Sequence, residues 1–265
     1  MPKRAGPGEP KRSARAKRPR NRPGETPDFL ASRAPIVERL REEERVFLGS
    51  VRHPLQEERR VARITREFMR GVRALDGVGP AVTVFGSARF SPRHPWYRLA
   101  VEMGKRLAAA GYTVVTGGGP GIMEAANRGA RLAGGCSIGL NIQLPHEQKP
   151  NPYVDRFVEF RYFFVRKVML VKYSSAFVVM PGGFGTLDEL FEVTTLIQTR
   201  KLHKFPVVLM GARFWRRLQS FVKDALIGEG AVPRSELDFA FVTDSPDEAL
   251  RHIERAQNGP AAKRS

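Results

Sequence analysis

The sequence predicts an α/β protein built on a Rossmann-like, doubly wound parallel sheet with helices on both faces, preceded by an extra helical segment. From Ala81 onward, short runs rich in β-branched residues alternate with longer helical patterns. This alternation is typical of parallel strands joined by crossover helices. Three of the predicted strands also lead directly into turns of glycine and other small residues. Because doubly wound sheets bind ligands beyond the carboxyl ends of their strands, these turns are the candidate binding sites.

The individual elements follow from local patterns. Short apolar runs bounded by glycine, proline or polar residues predict strands at Ala81–Val84, Tyr112–Val115, Ser137–Ile142, Ala176–Val179, Pro206–Met210 and Phe239–Val242. Helical periodicity predicts helices at Trp96–Ala110, Ile122–Ala133, Phe163–Ser174, Leu187–Thr199, Phe214–Leu226 and Ser245–Ala256. No internal repeat of solenoid length is present.

The amino-terminal part of the chain differs in composition from the rest. Its first residues are rich in Pro, Gly, Arg and Lys and cannot bury enough apolar surface to fold, which predicts a disordered arm. Two amphipathic stretches follow, Ala34–Leu48 and Leu55–Leu75, and we interpret them as a covering or dimer-forming helical layer. The predicted division is a basic arm at 1–27, a helical extension at 28–79, a Rossmann-like nucleotide-binding domain at 80–257 and a flexible tail at 258–265.

The formal net charge of +18 is concentrated in part at the amino terminus, where residues 1–25 hold nine Lys or Arg and two Glu. A charge of this size can indicate nucleic-acid binding, but no basic motif with interspersed aromatic residues accompanies it. We therefore expect no nucleic-acid partner apart from a weak contact by the arm. Alternatively, the arm is a solubilising tail.

Several classes of protein are excluded by what the chain lacks. Cys136 is the only cysteine, so neither an intramolecular disulfide nor a zinc site of paired thiolates can form. His146-Glu147 begins like a zincin helix, but Pro150 stands where the second histidine is needed. No window approaches about eighteen consecutive apolar residues, and no secretory signal is recognisable. We predict no metal, no membrane association and a cytoplasmic location.

The three glycine turns are interpreted as one anion site. They are Gly86-Ser87, the run from Thr116 to Gly121 with Gly118 and Gly119 at its centre, and the run from Met180 to Thr186. Glycine lets the backbone approach a phosphate closely. The helix after such a turn adds unpaired N–H groups and the positive end of its dipole, and both suit an anion.

In the third turn we expect the amides of Gly183 and Gly185 and the hydroxyl of Thr186 to donate to the anion. Asp188 and Glu189 are then predicted to lie in the first turn of the following helix, where carboxylates interact favourably with the helix dipole.

Neither long glycine turn matches a familiar cofactor fingerprint. The sixth position of G-x-G-x-x-G is Ile122 when counted from Gly117 and Asp188 when counted from Gly183. A P-loop is also excluded, because the only Gly-Lys pair, Gly104-Lys105, is not followed by Ser or Thr. We therefore expect a monophosphate, held through a single phosphate group, rather than NAD or ATP, and no cofactor.

Three sequence features occur together: Pro181-Gly182-Gly183-Phe184-Gly185-Thr186-Leu187-Asp188-Glu189, Thr116-Gly117-Gly118-Gly119-Pro120-Gly121-Ile122-Met123, and Arg166-Lys167. In this combination the chain resembles the LONELY GUY (LOG) family of phosphoribohydrolases over about Ala81 to Ile253. The resemblance implies cleavage of the N-glycosidic bond of a nucleoside 5′-monophosphate to free base and ribose 5-phosphate, by a homo-oligomer that is at least a dimer.

The resemblance also implies roles for individual residues. Catalysis is assigned to Arg166 and Glu189. Phosphate and ribose binding is assigned to Gly182, Gly183, Phe184, Gly185, Thr186, Leu187 and Asp188, and Lys167, Glu147 and Thr195 are expected to line the site. The other glycine turns contribute the candidates Gly86, Ser87, Gly118, Gly119 and Glu124. Carboxylates suit glycosidic cleavage because its transition state resembles an oxocarbenium ion.

The sequence is compatible with two substrates and with two functions. Glu124 stands where plant members have glycine, and it could bond ribose hydroxyls or simply begin a helix, so the substrate is either a cytokinin riboside 5′-monophosphate or an AMP-like nucleotide. Residues 141–148 are similar to a mainly bacterial branch. Because related proteins with the same loop carry a pterin-type cofactor, a non-catalytic nucleotide or pterin-cofactor carrier is the alternative function. The presence of both Arg166 and Glu189 favours the enzyme.

Overall fold

The computed structural model describes residues 54–143, 149–203, 205–234 and 239–258. The strands are β1 (Ala81–Phe85), β2 (Thr113–Thr116), β3 (Ser137–Ile142), β4 (Arg156–Phe160), β5 (Ala176–Val179), β6 (Val207–Met210) and β7 (Phe241–Thr243). Within the described residues they form one sheet of seven parallel strands in the order β4-β3-β2-β1-β5-β6-β7. The helices are α1 (Pro54–Ala74), α2 (Pro95–Ala109), α3 (Ile122–Leu132), α4 (Phe163–Lys172), α5 (Phe184–Gln198), α6 (Ala212–Phe221) and α7 (Pro246–Asn258), with a π-helical segment at Val222–Ile227 after α6.

Helices cover both faces of the sheet, which confirms the predicted fold class. The apolar core on one face includes Leu75, directly after α1, together with Leu190 of α5 and Trp215 of α6. The core on the other face includes Met103 of α2 and Ile253 of α7. The five central strands are buried along their whole length, because apolar side chains leave both faces and meet a helical layer on each side.

The order of the strands reverses between β1 and β5, and this switch point lies beneath the glycine turns. From β1 the chain moves outward through β2 to β4, then returns to place β5 on the other side of β1. Backbone hydrogen bonds join the two strand ends: Met180 N donates to Phe85 O at 2.8 Å and Ser87 N donates to Pro181 O at 3.0 Å. The turns after β1 and β5 are therefore held side by side where such folds bind ligands.

The strand β4 was not predicted from the sequence. It pairs with β3 at the edge of the sheet and its residues alternate between exposed and buried, with Arg156, Phe157 and Glu159 exposed. Charged residues interrupt the β-branched run that marks the central strands, so the local pattern was too weak to indicate a strand.

The predicted start of the helix after the third glycine turn was wrong. α5 begins at Phe184, not Leu187, because the amides of Thr186 and Leu187 both donate to Gly183 O at 3.0 Å. Asp188 and Glu189 therefore do not lie in the first turn of the helix, as the sequence suggested, but in the second. Glycine at the second helical position is unfavourable for a helix and concealed the true start.

Two other elements begin two residues away from their predicted start. The last strand is Phe241–Thr243 rather than Phe239–Val242, and α6 begins at Ala212, whose amide donates to Asp244 Oδ1 at 2.9 Å. The predicted arm, the predicted helix Ala34–Leu48, Glu147 and the tail beyond position 258 lie outside the described residues. Within the described ranges, no helix combines the length and apolar character that a membrane span requires.

Candidate active site

The third glycine turn presents the amino end of α5 to solvent. Gly183, Phe184 and Gly185 are exposed, and Phe184 is 92% exposed. The amides of Phe184 and Gly185 precede the first amides that bond to Gly183, and helix geometry gives such leading amides no acceptor within the helix. Together with the helix dipole, they form a suitable place for a phosphate.

Thr186 does not share this exposure, although the sequence placed it among the expected donors. Its side chain is buried, and a Cβ on Gly182 would overlap its hydroxyl oxygen. Gly182 is therefore required by the packing of Thr186 beneath the turn. Leu187, the next residue, is half-buried and packs against the hydrophobic core.

The second glycine turn is fixed by a buried polar network that the sequence did not reveal. Thr116 Oγ1 donates to Asn127 Oδ1 at 2.7 Å and accepts from Gly118 N at 2.9 Å. Asn151 donates from its backbone to Gly118 O and from its side chain to Gly119 O, at 2.9 and 3.0 Å. Asparagines scattered along a sequence give no signal of such a network, because their partners are distant in the chain.

The first turn, Gly86-Ser87, links the other two. Ser87 N bonds to the third turn through Pro181 O, and Ser87 O accepts from Ile122 N at the start of α3, at 3.0 Å each. Gly86 packs so closely on Ile122 that a Cβ would come within 2.5 Å of its side chain. The three turns thus form one continuous surface at the carboxyl edge of the sheet.

Arg166 and Glu189 meet beside this surface. Arg166 Nη2 on α4 donates to Glu189 Oε1 on α5 at 2.8 Å, with the two side chains 13% and 1% exposed. The Arg166 guanidinium also lies 4.9 Å from the centroid of the Phe163 ring. Among the described residues, Glu189 Oε2 is buried without a hydrogen-bond partner. Burial raises the pKa of Glu189 above the usual carboxyl range, although the charges of Arg166 and Lys167 act to lower it.

Lys167 forms a second, more exposed set of contacts between the same helices. Its Nζ lies 3.0 Å from both carboxylate oxygens of Asp188 and 3.0 Å from Glu192 Oε2. Burial alone would lower the pKa of Lys167, but hydrogen bonds to Asp188 and Glu192 outweigh it and raise the pKa. Thr195 lies one turn beyond Glu192, is exposed, and donates its hydroxyl hydrogen to Phe191 O at 2.8 Å.

Glu124 lies in the first turn of α3 and contacts the neighbouring helix. Its Oε1 accepts a hydrogen bond of 2.8 Å from the Tyr97 hydroxyl. Burial, followed by this bond to Glu124, raises the pKa of Tyr97 to about 12. Within the described part of the chain, no group of three or more His, Cys, Asp or Glu residues is arranged to hold a metal ion.

Several known proteins are similar in sequence to this chain. A family profile described as "Possible lysine decarboxylase" matches residues 123–253. The chain is 33% identical to the cytokinin riboside 5′-monophosphate phosphoribohydrolase of Mycobacterium marinum, over 61% of this chain and 87% of the relative. It is 32% identical to the protein of the same name from Mycobacterium tuberculosis, with the same coverage. The rice (Oryza sativa subsp. japonica) protein of that name, called LOG, is 34% identical over 50% of this chain and 55% of its own length.

Solved structures show the same fold. The X-ray structure of a structural-genomics target superposes with a TM-score of 0.53 at 27% identity, covering 67% of this chain and 99% of the other. A molybdenum cofactor carrier protein from Chlamydomonas reinhardtii superposes with a TM-score of 0.50 at 24% identity, covering 67% and 97%. At that identity the second similarity concerns the fold alone.

Proposed function

Because the chain belongs to the LOG family of phosphoribohydrolases, we propose that it hydrolyses the N-glycosidic bond of a nucleoside 5′-monophosphate. Water adds to C1′ of the ribose, the bond from C1′ to the base nitrogen breaks, and the products are the free base and ribose 5-phosphate. The observation that carries the proposal is the buried pair of Arg166 and Glu189 beside the exposed amino end of α5.

The phosphate binds at the amino end of α5 in this proposal. Its oxygens accept from the amides of Phe184 and Gly185, and the helix dipole favours the negative charge. This places the ribose on the side of α5 that carries Asp188 and Glu189 in the next turn, near Lys167. The phosphate is then bound at a distance from the glycosidic bond. Its binding positions C1′ for cleavage, while the phosphate itself takes no part in the reaction.

Glu189 supplies the carboxylate in this mechanism. Bond cleavage develops positive charge on the ribosyl ring, which an ionised carboxylate stabilises. A raised pKa also makes Glu189 a better proton acceptor than an ordinary glutamate, so it suits activation of the attacking water. Arg166 holds Oε1, and Oε2 is left to accept from water or a ribose hydroxyl.

The substrate proposed is a cytokinin riboside 5′-monophosphate or an AMP-like nucleotide. The first choice follows the names of the relatives. Purified protein is incubated with AMP, CMP, GMP and isopentenyladenosine monophosphate, and release of free base is followed by chromatography. Adenosine, which lacks the phosphate, is the matched control substrate.

We expect base release from at least one monophosphate and much less from adenosine. Glu189→Gln should lower kcat on the order of a hundredfold or more, as for loss of a positioned acid-base or electrostatic group. If no monophosphate releases its base, the enzyme proposal is wrong, and binding of nucleotide or pterin without turnover would indicate a carrier.

We also propose a cytoplasmic homo-oligomer, at least a dimer. On α4, Phe164 and Val168 are exposed, apolar and four residues apart, so they share one face of the helix. Light scattering over a dilution series should give at least twice the monomer mass, and monomer at every concentration would contradict this.

A further inference from the structure

The helix α1 packs along α4, which carries Arg166, and along the edge strand β4. Gly71 makes the closest approach: a Cβ there would lie 2.9 Å from the Phe160 ring and 3.1 Å from Met169 Sδ. Arg156 Nη1 on β4 donates to Ala74 O at 2.8 Å. Ile64, Phe68 and Val72 of α1 pack against the core that α4 also joins. The extension before the sheet is therefore in direct contact with the helix of the candidate active site.

Glu67 is the one acidic side chain of α1 that is buried in this contact, at 6% exposure. Its Oε1 accepts hydrogen bonds from the backbone amides of Arg161 at 2.8 Å and Tyr162 at 2.9 Å. Tyr162 is the residue that precedes the first turn of α4, and its own side chain makes no capping bond there. A carboxylate from α1 thus supplies the negative group that the amino end of α4 favours.

The contact leads to Arg166 through a single residue, Tyr162. The carbonyl of Tyr162 accepts from Val165 N at 3.1 Å and from Arg166 N at 3.3 Å. Glu67 fixes the amide of Tyr162, the carbonyl of Tyr162 fixes the backbone of Arg166, and the Arg166 side chain donates to Glu189. Tyr162 is itself buried, so this path is shielded from solvent.

We propose that Glu67 is a positioning residue for Arg166, and that α1 is therefore a working part of the active site rather than only a cover for the sheet. The kinetic consequences rest on the proposed function, whereas the structural link does not. Removing the carboxylate leaves two amides without an acceptor and frees the first turn of α4 to move. A displacement of about 1 Å in a catalytic group can cost on the order of a hundredfold in rate.

The test compares Glu67→Ala and Glu67→Gln with the control Thr65→Ala. Thr65 is exposed on the same helix, and its hydroxyl bonds only within α1, to Val61 O at 3.0 Å. Glu67→Ala should lower kcat about tenfold or more with KM changed less than about twofold. Glu67→Gln, whose amide oxygen can still accept both bonds, should recover most of the rate, and Thr65→Ala should match the wild type.

A double-mutant cycle with Arg166→Ala identifies the route of the effect. If Glu67 acts through Arg166, Glu67→Ala costs less than about twofold in the Arg166→Ala background. The proposal is overturned if Glu67→Ala lowers kcat equally in both backgrounds. It is also overturned if Glu67→Gln is no more active than Glu67→Ala, or if the kcat of Glu67→Ala lies within about twofold of the wild type. If Glu67→Ala does not fold, Glu67→Asp, whose shorter side chain cannot reach both amides, replaces it with the same expected loss.

Amide hydrogen exchange provides a readout that is independent of turnover. Glu67→Ala should speed exchange at Tyr162, Val165 and Arg166, while Thr65→Ala leaves these amides unchanged. Unchanged exchange in Glu67→Ala overturns the structural link. If the wild type releases no base but the exchange result is as expected, the proposed function fails and the link between Glu67 and α4 stands.

Discussion

Arg166 Nη2 donates a 2.8 Å hydrogen bond to Glu189 Oε1 across the boundary between α4 and α5, while Oε2 of the same carboxylate is buried with no hydrogen-bond partner in the described ranges. A buried carboxylate with only one oxygen satisfied is costly to keep ionised. The pKa of Glu189 is accordingly raised even though a cation touches it. The pair is thus arranged so that a water molecule or ribose hydroxyl would complete its hydrogen bonding.

The acid side of the pH profile should depend on Arg166. Burial raises the pKa of Glu189 and Arg166 lowers it, so Arg166→Met should raise this pKa further. Activity in our mechanism needs the ionised carboxylate and is lost as pH falls through the pKa of Glu189. The acid limb of kcat/KM should therefore move to higher pH in Arg166→Met, measured with residual activity from about pH 4.5 to 8.

The control for that profile is Arg217→Met, an exposed arginine on α6. It should leave the acid limb where it is in the wild type. An acid limb at the same pH in Arg166→Met as in the wild type would show that Glu189 is not the group that titrates.

The third glycine turn should not tolerate a side chain at Gly182. A methyl group there overlaps the Thr186 hydroxyl, so either the turn or the first turn of α5 must shift. Since the leading amides of α5 hold the phosphate in our proposal, Gly182→Ala should raise KM about tenfold or more, with a smaller change in kcat. Gly79→Ala is the matched control, because nothing lies within 4 Å of a Cβ at that position. A wild-type KM in Gly182→Ala would place the phosphate elsewhere.

A side chain added where α2 and α3 cross should lower the stability of the protein without altering the candidate active site. A Cβ on Gly104 would overlap the backbone oxygen of Ala126, so the two helices would have to separate. Overpacking of this kind costs about 1–3 kcal/mol of unfolding free energy. Urea unfolding should show that loss of unfolding free energy for Gly104→Ala and little change for Gly79→Ala. If the two variants are equally stable, the helices do not pack this closely.

Local sequence signals were sufficient where the residues that decide an element are neighbours in the chain. The buried strands β1, β2, β3, β5 and β6 follow from short runs rich in apolar and β-branched residues, and the glycine turns after β1, β2 and β5 can be read directly from the sequence. The exposed edge strand β4 was missed, because Arg156 and Glu159 give it no apolar run. The start of α5 was misplaced, because Gly185 disfavours a helix while hydrogen bonds to Gly183 nevertheless begin one at Phe184.

Periodicity, composition and the glycine turns were enough to determine a doubly wound parallel sheet. They also predict an anion site at its carboxyl edge, and the LOG motifs single out Arg166 and Glu189 as candidate catalytic residues. Only the folded chain decides that Arg166 and Glu189 share one hydrogen bond, that Asn151 holds the turn at Gly118, and that Glu67 reaches the amide before α4. The burial of apolar side chains follows from the spacing of apolar and polar residues, and this spacing can be recognised in the sequence. A hydrogen bond between distant residues depends on distances of a few tenths of an ångström and exists only once the helices and strands have packed.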